Sequence, residues 1–171
     1  LGFEVVYVKP DKKGQISLES IADSITPETC LVSVMHVNNE TGAIFPVDKI
    51  KPIMKRIAPR ALLHVDAVQS FGHIPFKPAA WGIDLASVSS HKIHGPKGIG
   101  ALYIRKGTAL KPTVFGGGQE KNIRSGTENV GAIASFGVAT ELINYEEMAE
   151  AQKIKDKLLN ALLTIDGAVQ N

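Results

Sequence analysis

The sequence predicts an α/β fold with a mostly parallel sheet covered by helices. Three observations carry this. Strand-like and helix-like spacings alternate through the first half of the chain. The inner strand-like runs are almost continuously apolar, the mark of strands buried on both faces. Each is followed by a short polar motif, and in open α/β sheets ligands bind beyond the carboxyl ends of the strands.

Taken in order, Phe3 to Val8 is apolar and β-rich, closed by Pro10-Asp11. Ser17 to Ile25 has apolar residues at Leu18, Ile21, Ala22 and Ile25, which is helical spacing, with Ser17 as N-cap. Cys30 to Val37 reads as a strand buried on both faces, and Asn38-Asn39-Glu40-Thr41-Gly42 as a turn. Val47 to Ile57 repeats the helical spacing. Ala61 to Val65, Ile83 to Val88 and Ile99 to Ile104 are further strands, with Pro75 to Gly82 a short helix or irregular crossover. After Gly116-Gly117-Gly118 an irregular polar stretch runs to Asn129. Helices follow over Val130 to Asn144 and Glu146 to Ile165, the second with an apolar stripe at Ile154, Leu158, Leu159, Leu162 and Leu163 that suits packing.

Composition narrows the function classes. The 171 residues carry 19 Lys+Arg against 17 Asp+Glu, a net charge of +2. So small a surplus argues against binding nucleic acid through bulk charge. No apolar run approaches the length of a membrane helix. A single cysteine, Cys30, excludes a disulfide framework and a cysteine-rich zinc site. Cys30 opens an apolar run and is expected to be a buried, inert thiol. The chain starts Leu1-Gly2-Phe3 without Met, so it is expected to be a piece cut from a longer protein.

The strand exits hold Asn38-Asn39-Glu40, Asp66-Ala67-Val68-Gln69 and Ser89-Ser90-His91-Lys92. A carboxylate ending an apolar strand must be solvated or paired. Lys92 stands between Ser89 and His91 on one side and the tight Gly95-Pro96-Lys97-Gly98 loop on the other. Singly these are weak signals: an Asp after a strand is usually a turn former and a Lys is usually solvated. Together they meet the needs of pyridoxal 5′-phosphate, which takes a lysine amine, a carboxylate against its pyridine nitrogen, and donors for its phosphate and ring oxygen. Other readings fit less well. His64, His91 and His94 lack carboxylates at ligand spacing, so no metal site is expected. Gly95 to Gly100 lacks the Lys-Ser/Thr ending of a P-loop and precedes a strand. The turn after the first strand, Lys9 to Gly14, is not the Gly-rich turn of a dinucleotide site. A non-catalytic scaffold is the third class.

At these motifs the sequence resembles the NifS/IscS-like cysteine desulfurases, class V aminotransferase-like enzymes of fold type I. The resembling stretches are His36 to Gly42, His64 to Ser70, Ser89 to Tyr103, and Gly116 to Glu120 with Arg124 to Asn129. The resemblance implies the large domain of a three-layer α/β/α pyridoxal-phosphate transferase. Residues 1–145 would form that domain in part, and 146–171 a helix leading toward a C-terminal small domain. It implies that Lys92 is catalytic and holds the cofactor covalently. Asp66 would pair with the pyridinium, Asn39 and Gln69 would bond the ring oxygen, and Ser89 and His91 would bind the phosphate. Thr127 would reach the phosphate in the neighbouring subunit, hence a homodimer. The implied reaction takes sulfur from L-cysteine, leaving L-alanine and a persulfide on a mobile catalytic cysteine that serves iron–sulfur cluster assembly or thiolation through acceptor or scaffold proteins. In the family that cysteine lies in sequence beyond a chain like this one, and Cys30 is not its counterpart. This chain alone is therefore expected to be inactive. The alternatives are a selenocysteine lyase or another class V enzyme. The implied compartment is the cytoplasm, or an organelle where a targeting segment precedes.

Overall fold

A computed structural model describes residues 2–170. The outermost residues of the expected domain layout, Leu1 and Asn171, lie outside this range. Among the described residues one sheet of four strands forms, in the order β1 (Leu31–Met35), β2 (Leu62–Asp66), β3 (Leu85–Ser89) and β4 (Gly100–Ile104). The first three are parallel and β4 returns antiparallel to β3. The expected class, α/β with a mostly parallel sheet, is the one observed.

The sheet's core face is built by alternation. Leu63 and Val65 on β2 and Ala86 on β3 point one way and are fully buried. They pack against α1 (Leu18–Asp23) and α2 (Ile50–Ile57), through Ile21, Ile50 and Met54. Burying each large side chain of this kind is worth about 1.5–3 kcal/mol relative to exposure. Helix α1 starts where Ser17 accepts a hydrogen bond from the Ser20 amide at 3.0 Å, the expected N-cap. Helix α2 follows a 3₁₀ turn over Val47–Lys49 and carries Pro52 in its first turn, where a missing N–H costs nothing. It ends at Ala58, just before Pro59, because a residue preceding proline is driven out of helical geometry. Residues 75–82 form the irregular crossover rather than the short helix, with turns over 78–82.

At the amino end of the sheet a charge cluster is buried. The Asp84 carboxylate is wholly enclosed and pairs with Lys51 of α2 and with Arg105, just past β4. Lys51 Nζ also donates to the Ala61 carbonyl at 3.0 Å, and the Leu63 amide donates to Asp84 at 2.7 Å. Burial pushes the Asp84 carboxyl up, but the hydrogen bonds from Lys51 and Leu63 and the charges of Lys51 and Arg105 outweigh it, holding the group below the usual carboxylate range.

Four expectations fail. Phe3 to Val8 forms no strand: Val5 and Tyr7 are 65% and 82% exposed, and the segment makes no ladder bonds. It runs across a groove of about 870 Å³ from β1, and a β-rich sequence without a partner has nothing to pair with. Among the described residues β1 stands at the sheet's edge and is not buried on both faces; Leu31 is 49% exposed. Cys30 borders the same groove and is exposed, so it is not a core thiol. The apolar stripe of α4 (Tyr145–Leu162) exists but is not packed: none of its residues is buried, and Ile154 and Leu158 are largely exposed. Helix α3 (Val130–Glu141) likewise has no buried residue, touching the remainder of the chain mainly at the turn over Ser90–Ile93.

Candidate active site

The carboxyl ends of β1, β2 and β3 meet at one edge of the sheet, because the three strands are parallel and in register. Met35 of β1 stands opposite Asp66, which stands opposite Ser87 of β3. The chain therefore delivers the Asn38 turn, the Asp66 turn and the Ser89–Lys92 turn side by side.

The first turn is held by its own side chain. Asn38 Oδ1 accepts from the amides of Glu40 and Thr41, each at 2.9 Å, so Asn38 is committed to the turn. Its neighbour Asn39 is exposed, with no hydrogen bond among the described residues. In the second turn Asp66 is half-buried. One carboxylate oxygen accepts from the Val68 amide at 2.9 Å, and the other takes no hydrogen bond among the described residues. Gln69 follows in the same turn, half-buried, its amide likewise without a partner.

The third turn is a single 3₁₀ turn, Ser90–Ile93, ended by His94 in the left-handed region at φ 66°. Ser89 Oγ and His91 Nδ1 lie 2.8 Å apart, a hydroxyl and an imidazole presented together. Lys92 is half-buried and takes part in none of the ion pairs among the described residues. Ser90 is fully buried and its hydroxyl has no partner; a Cβ on Gly95 would collide with it, so a glycine there is what lets the loop close. Thr127 is exposed in the loop before α3 and makes no hydrogen bond to the other candidates. That loop is strained: Glu120, Lys121 and Asn122 all adopt positive φ.

Asp66, Gln69, Ser89, His91 and Lys92 thus share the exits of adjacent strands, with Asn39 on the next exit over. Thr127 stands apart. As a donor set they fit pyridoxal phosphate: a carboxylate with one uncommitted oxygen, an amine without a counter-ion, two amides, and a hydroxyl–imidazole pair able to donate to a phosphate.

Two histidines in this region carry more than the sequence suggested. His64 lies two residues before Asp66, hence on the same sheet face. Its ring bridges three strands, Nδ1 to Ser33 Oγ at 2.8 Å and Nε2 to Ser87 Oγ at 2.9 Å. Burial pushes its pKa down, and the nearby Asp66 charge pulls it partly back. His73 bonds the backbone of Lys92 at 2.8 Å. The period-2 rule would have placed His64 beside Asp66; nothing in the sequence pointed to His73.

Comparison with known proteins identifies a family. Residues 1–167 match the family described as Aminotransferase class-V. Cysteine desulfurase IscS 1 of Archaeoglobus fulgidus is 44% identical over 173 residues, spanning 99% of this chain and 44% of that protein. The mitochondrial cysteine desulfurase of Saccharomyces cerevisiae is 43% identical over 175 residues, spanning 99% of this chain and 35% of that protein. Among solved structures, a NifS-like protein superposes with a TM-score of 0.87 at 45% identity, over 95% of this chain and 44% of that one. SspA in complex with cysteine superposes with a TM-score of 0.80 at 37% identity, over 91% of this chain and 46% of that one. The chain spans under half the length of these relatives.

Proposed function

The chain belongs to the class V aminotransferase family, and from that premise we propose that the protein carrying it is a pyridoxal 5′-phosphate-dependent cysteine desulfurase. The observation that carries the reading is the juxtaposition of Asp66, with an uncommitted oxygen, and Lys92, without a counter-ion, on the exits of two paired parallel strands. Its support from outside the chain is that the relatives bear the name cysteine desulfurase and that one structural neighbour was solved with cysteine.

When bound, pyridoxal phosphate supplies an electron sink for the bonds around the amino acid's α-carbon. The chain's own residues do the rest. The uncommitted oxygen of Asp66 would accept from the ring N–H and keep that nitrogen charged. Asn39 and Gln69 donate their amides to the ring oxygen. Ser89 and His91 donate to the phosphate. Lys92 would hold the cofactor through Nζ, and the same atom would carry protons for the reaction. Thr127 donates to the phosphate in the neighbouring subunit of a homodimer, a role in keeping with its exposed position outside the cluster.

The substrate we propose is L-cysteine, with sulfur passed to acceptor or scaffold proteins for iron–sulfur cluster assembly or thiolation. The layout we propose is residues 1–145 as part of the cofactor-binding domain and 146–171 as a helix leading to a further domain. The compartment we propose is the cytoplasm. No helix among the described residues is long and apolar enough to cross a membrane. The test is direct: the full-length protein should be yellow with bound cofactor, and borohydride should fix the label on Lys92. A label on Lys97 or Lys106 overturns the assignment. A selenocysteine lyase remains the alternative, read out by comparing cysteine with selenocysteine as substrate.

A further inference from the structure

The loop that follows β2 and the loop that follows β3 are joined by a side-chain hydrogen bond. His73 Nε2 lies 2.8 Å from the backbone oxygen of Lys92. A carbonyl oxygen can only accept, so Nε2 carries the proton and donates it. The acceptor stands at the end of the 3₁₀ turn Ser90–Ile93, where helix carbonyls lack partners of their own. The amides that close this turn, from His94 and Gly95, both go to the Ser90 oxygen. Lys92 O is thus left over, and His73 takes it up.

A second contact, independent of the first, presses the same loops together. Gly72 has φ +82°, and a Cβ there would come within 2.6 Å of Ile93 Cγ2. Residue 72 is held at positive φ, with no room for a side chain, against the residue that follows Lys92. The loop of Gln69 is therefore seated on the turn of Lys92 by a close backbone approach and locked by one hydrogen bond.

We propose that His73 is a positioning residue for Lys92: its imidazole caps the Lys92 carbonyl and ties the turn of the reacting lysine to the loop that carries Gln69. The inference rests on the reading of Lys92 as the lysine that holds the cofactor. The turn needs such a tie because one 3₁₀ turn has few and poorly aligned internal bonds. A displacement of about 1 Å at a reacting group can cost on the order of 10²-fold in rate. His73 itself touches neither ring nor substrate in this role, since its donor nitrogen is spent on the backbone.

The experiment uses the full-length protein with pyridoxal phosphate. Borohydride trapping and peptide mapping of the parent protein come first. His73→Leu, which keeps bulk without a donor, is then compared with His73→Gln, which returns an amide donor near the position of Nε2. Three quantities are read: cofactor dissociation by visible absorbance, kcat and KM for L-cysteine, and the melting midpoint. In His73→Leu, cofactor loss should quicken and kcat should fall, each by about tenfold, the scale of one lost hydrogen bond to a fixed backbone group. KM should stay near the parent value. His73→Gln should return both rates toward the parent. If the Leu variant does not fold, His73→Asn, whose amide is too short to reach the carbonyl, replaces it with the same expectation. Parent-like rates in the donor-less variant, or equal damage in Leu and Gln variants that are both folded, overturn the proposal and leave the Lys92 reading standing. A parent label on another lysine overturns both.

Discussion

The two ends of this sheet use aspartate in opposite ways. Asp84, at the amino end, is fully buried, and both its oxygens are taken by Lys51, Arg105 and the Leu63 amide. Asp66, at the carboxyl end, is half-buried and has one oxygen bonded, to its own turn. The same contrast holds for the amines. Lys51 is enclosed between Asp84 and the Ala61 carbonyl, whereas Lys92 takes part in none of the ion pairs among the described residues. A charge whose partners are all protein groups is holding the structure together. A charge left with capacity beside other uncommitted donors is what a cofactor site requires, and it is on this contrast that the proposed roles of Asp66 and Lys92 rest.

The largest effect should come from breaking the closed end. Asp84→Ala strands the Lys51 ammonium in the interior, and losing one partner of a buried pair costs about 3–5 kcal/mol. Denaturant titration of the full-length protein should show that loss, with turnover of the folded fraction near the parent value. Because the folded carboxyl sits below its usual value, its contribution is complete above the unfolded pKa of about 3.9 and is lost as pH falls through the folded one. A stable Asp84→Ala variant with low turnover would reverse the roles of the two ends.

The open end should respond the other way round. Asp66→Asn removes the charge proposed to face the ring nitrogen but keeps an acceptor oxygen for the Val68 amide. Turnover should fall on the order of 10²-fold, the lower range for a group acting on transition-state charge. Cofactor occupancy and the melting midpoint should move far less. Near-normal turnover in this variant would make Asp66 a turn former and no more.

The smallest effect sharpens the comparison through pH. Burial lowers the pKa of His36, which packs among Phe76 and Trp81, and of His64. A nearby aspartate partly restores each, Asp48 for His36 and Asp66 for His64. Below the unfolded value of about 6.5 the unfolded chain takes up protons that the folded chain resists, so stability drops as pH falls below 6.5 and levels off beneath the folded values. A melting midpoint that is flat above pH 7 and declines on acidification is expected. His36→Phe should remove part of the decline, and an unchanged slope in that variant would assign the decline to other groups.

The sequence showed the site more clearly than the walls around it. Strands β2, β3 and β4 were legible as apolar runs bounded by polar residues, and the ends of β2 and β3 are where most of the candidate residues gather. The turn at Asn38 and the cap at Ser17 were legible because each uses a side chain bonding a backbone two or three residues away. What was illegible depends on distant partners. Asp84 gives no hint of Lys51, 33 residues earlier, or of Arg105, 21 later. His73 gives none of Lys92. The Phe3–Val8 segment has strand composition, but composition is silent on whether a neighbour is present to pair with it. Cys30 and β1 were misjudged for the same reason, since an apolar strand reads alike at the edge and at the centre of a sheet.

The exposed edge of β1 has a practical cost. Leu31-Val32-Ser33-Val34-Met35 carries no charge, no proline and no glycine, and one row of its backbone donors and acceptors has no strand beside it among the described residues. Such an edge is a template for another chain. Expressed alone, this stretch of protein should self-associate through β1 as its concentration rises, and Leu31→Lys, at a position already 49% exposed, should weaken that association.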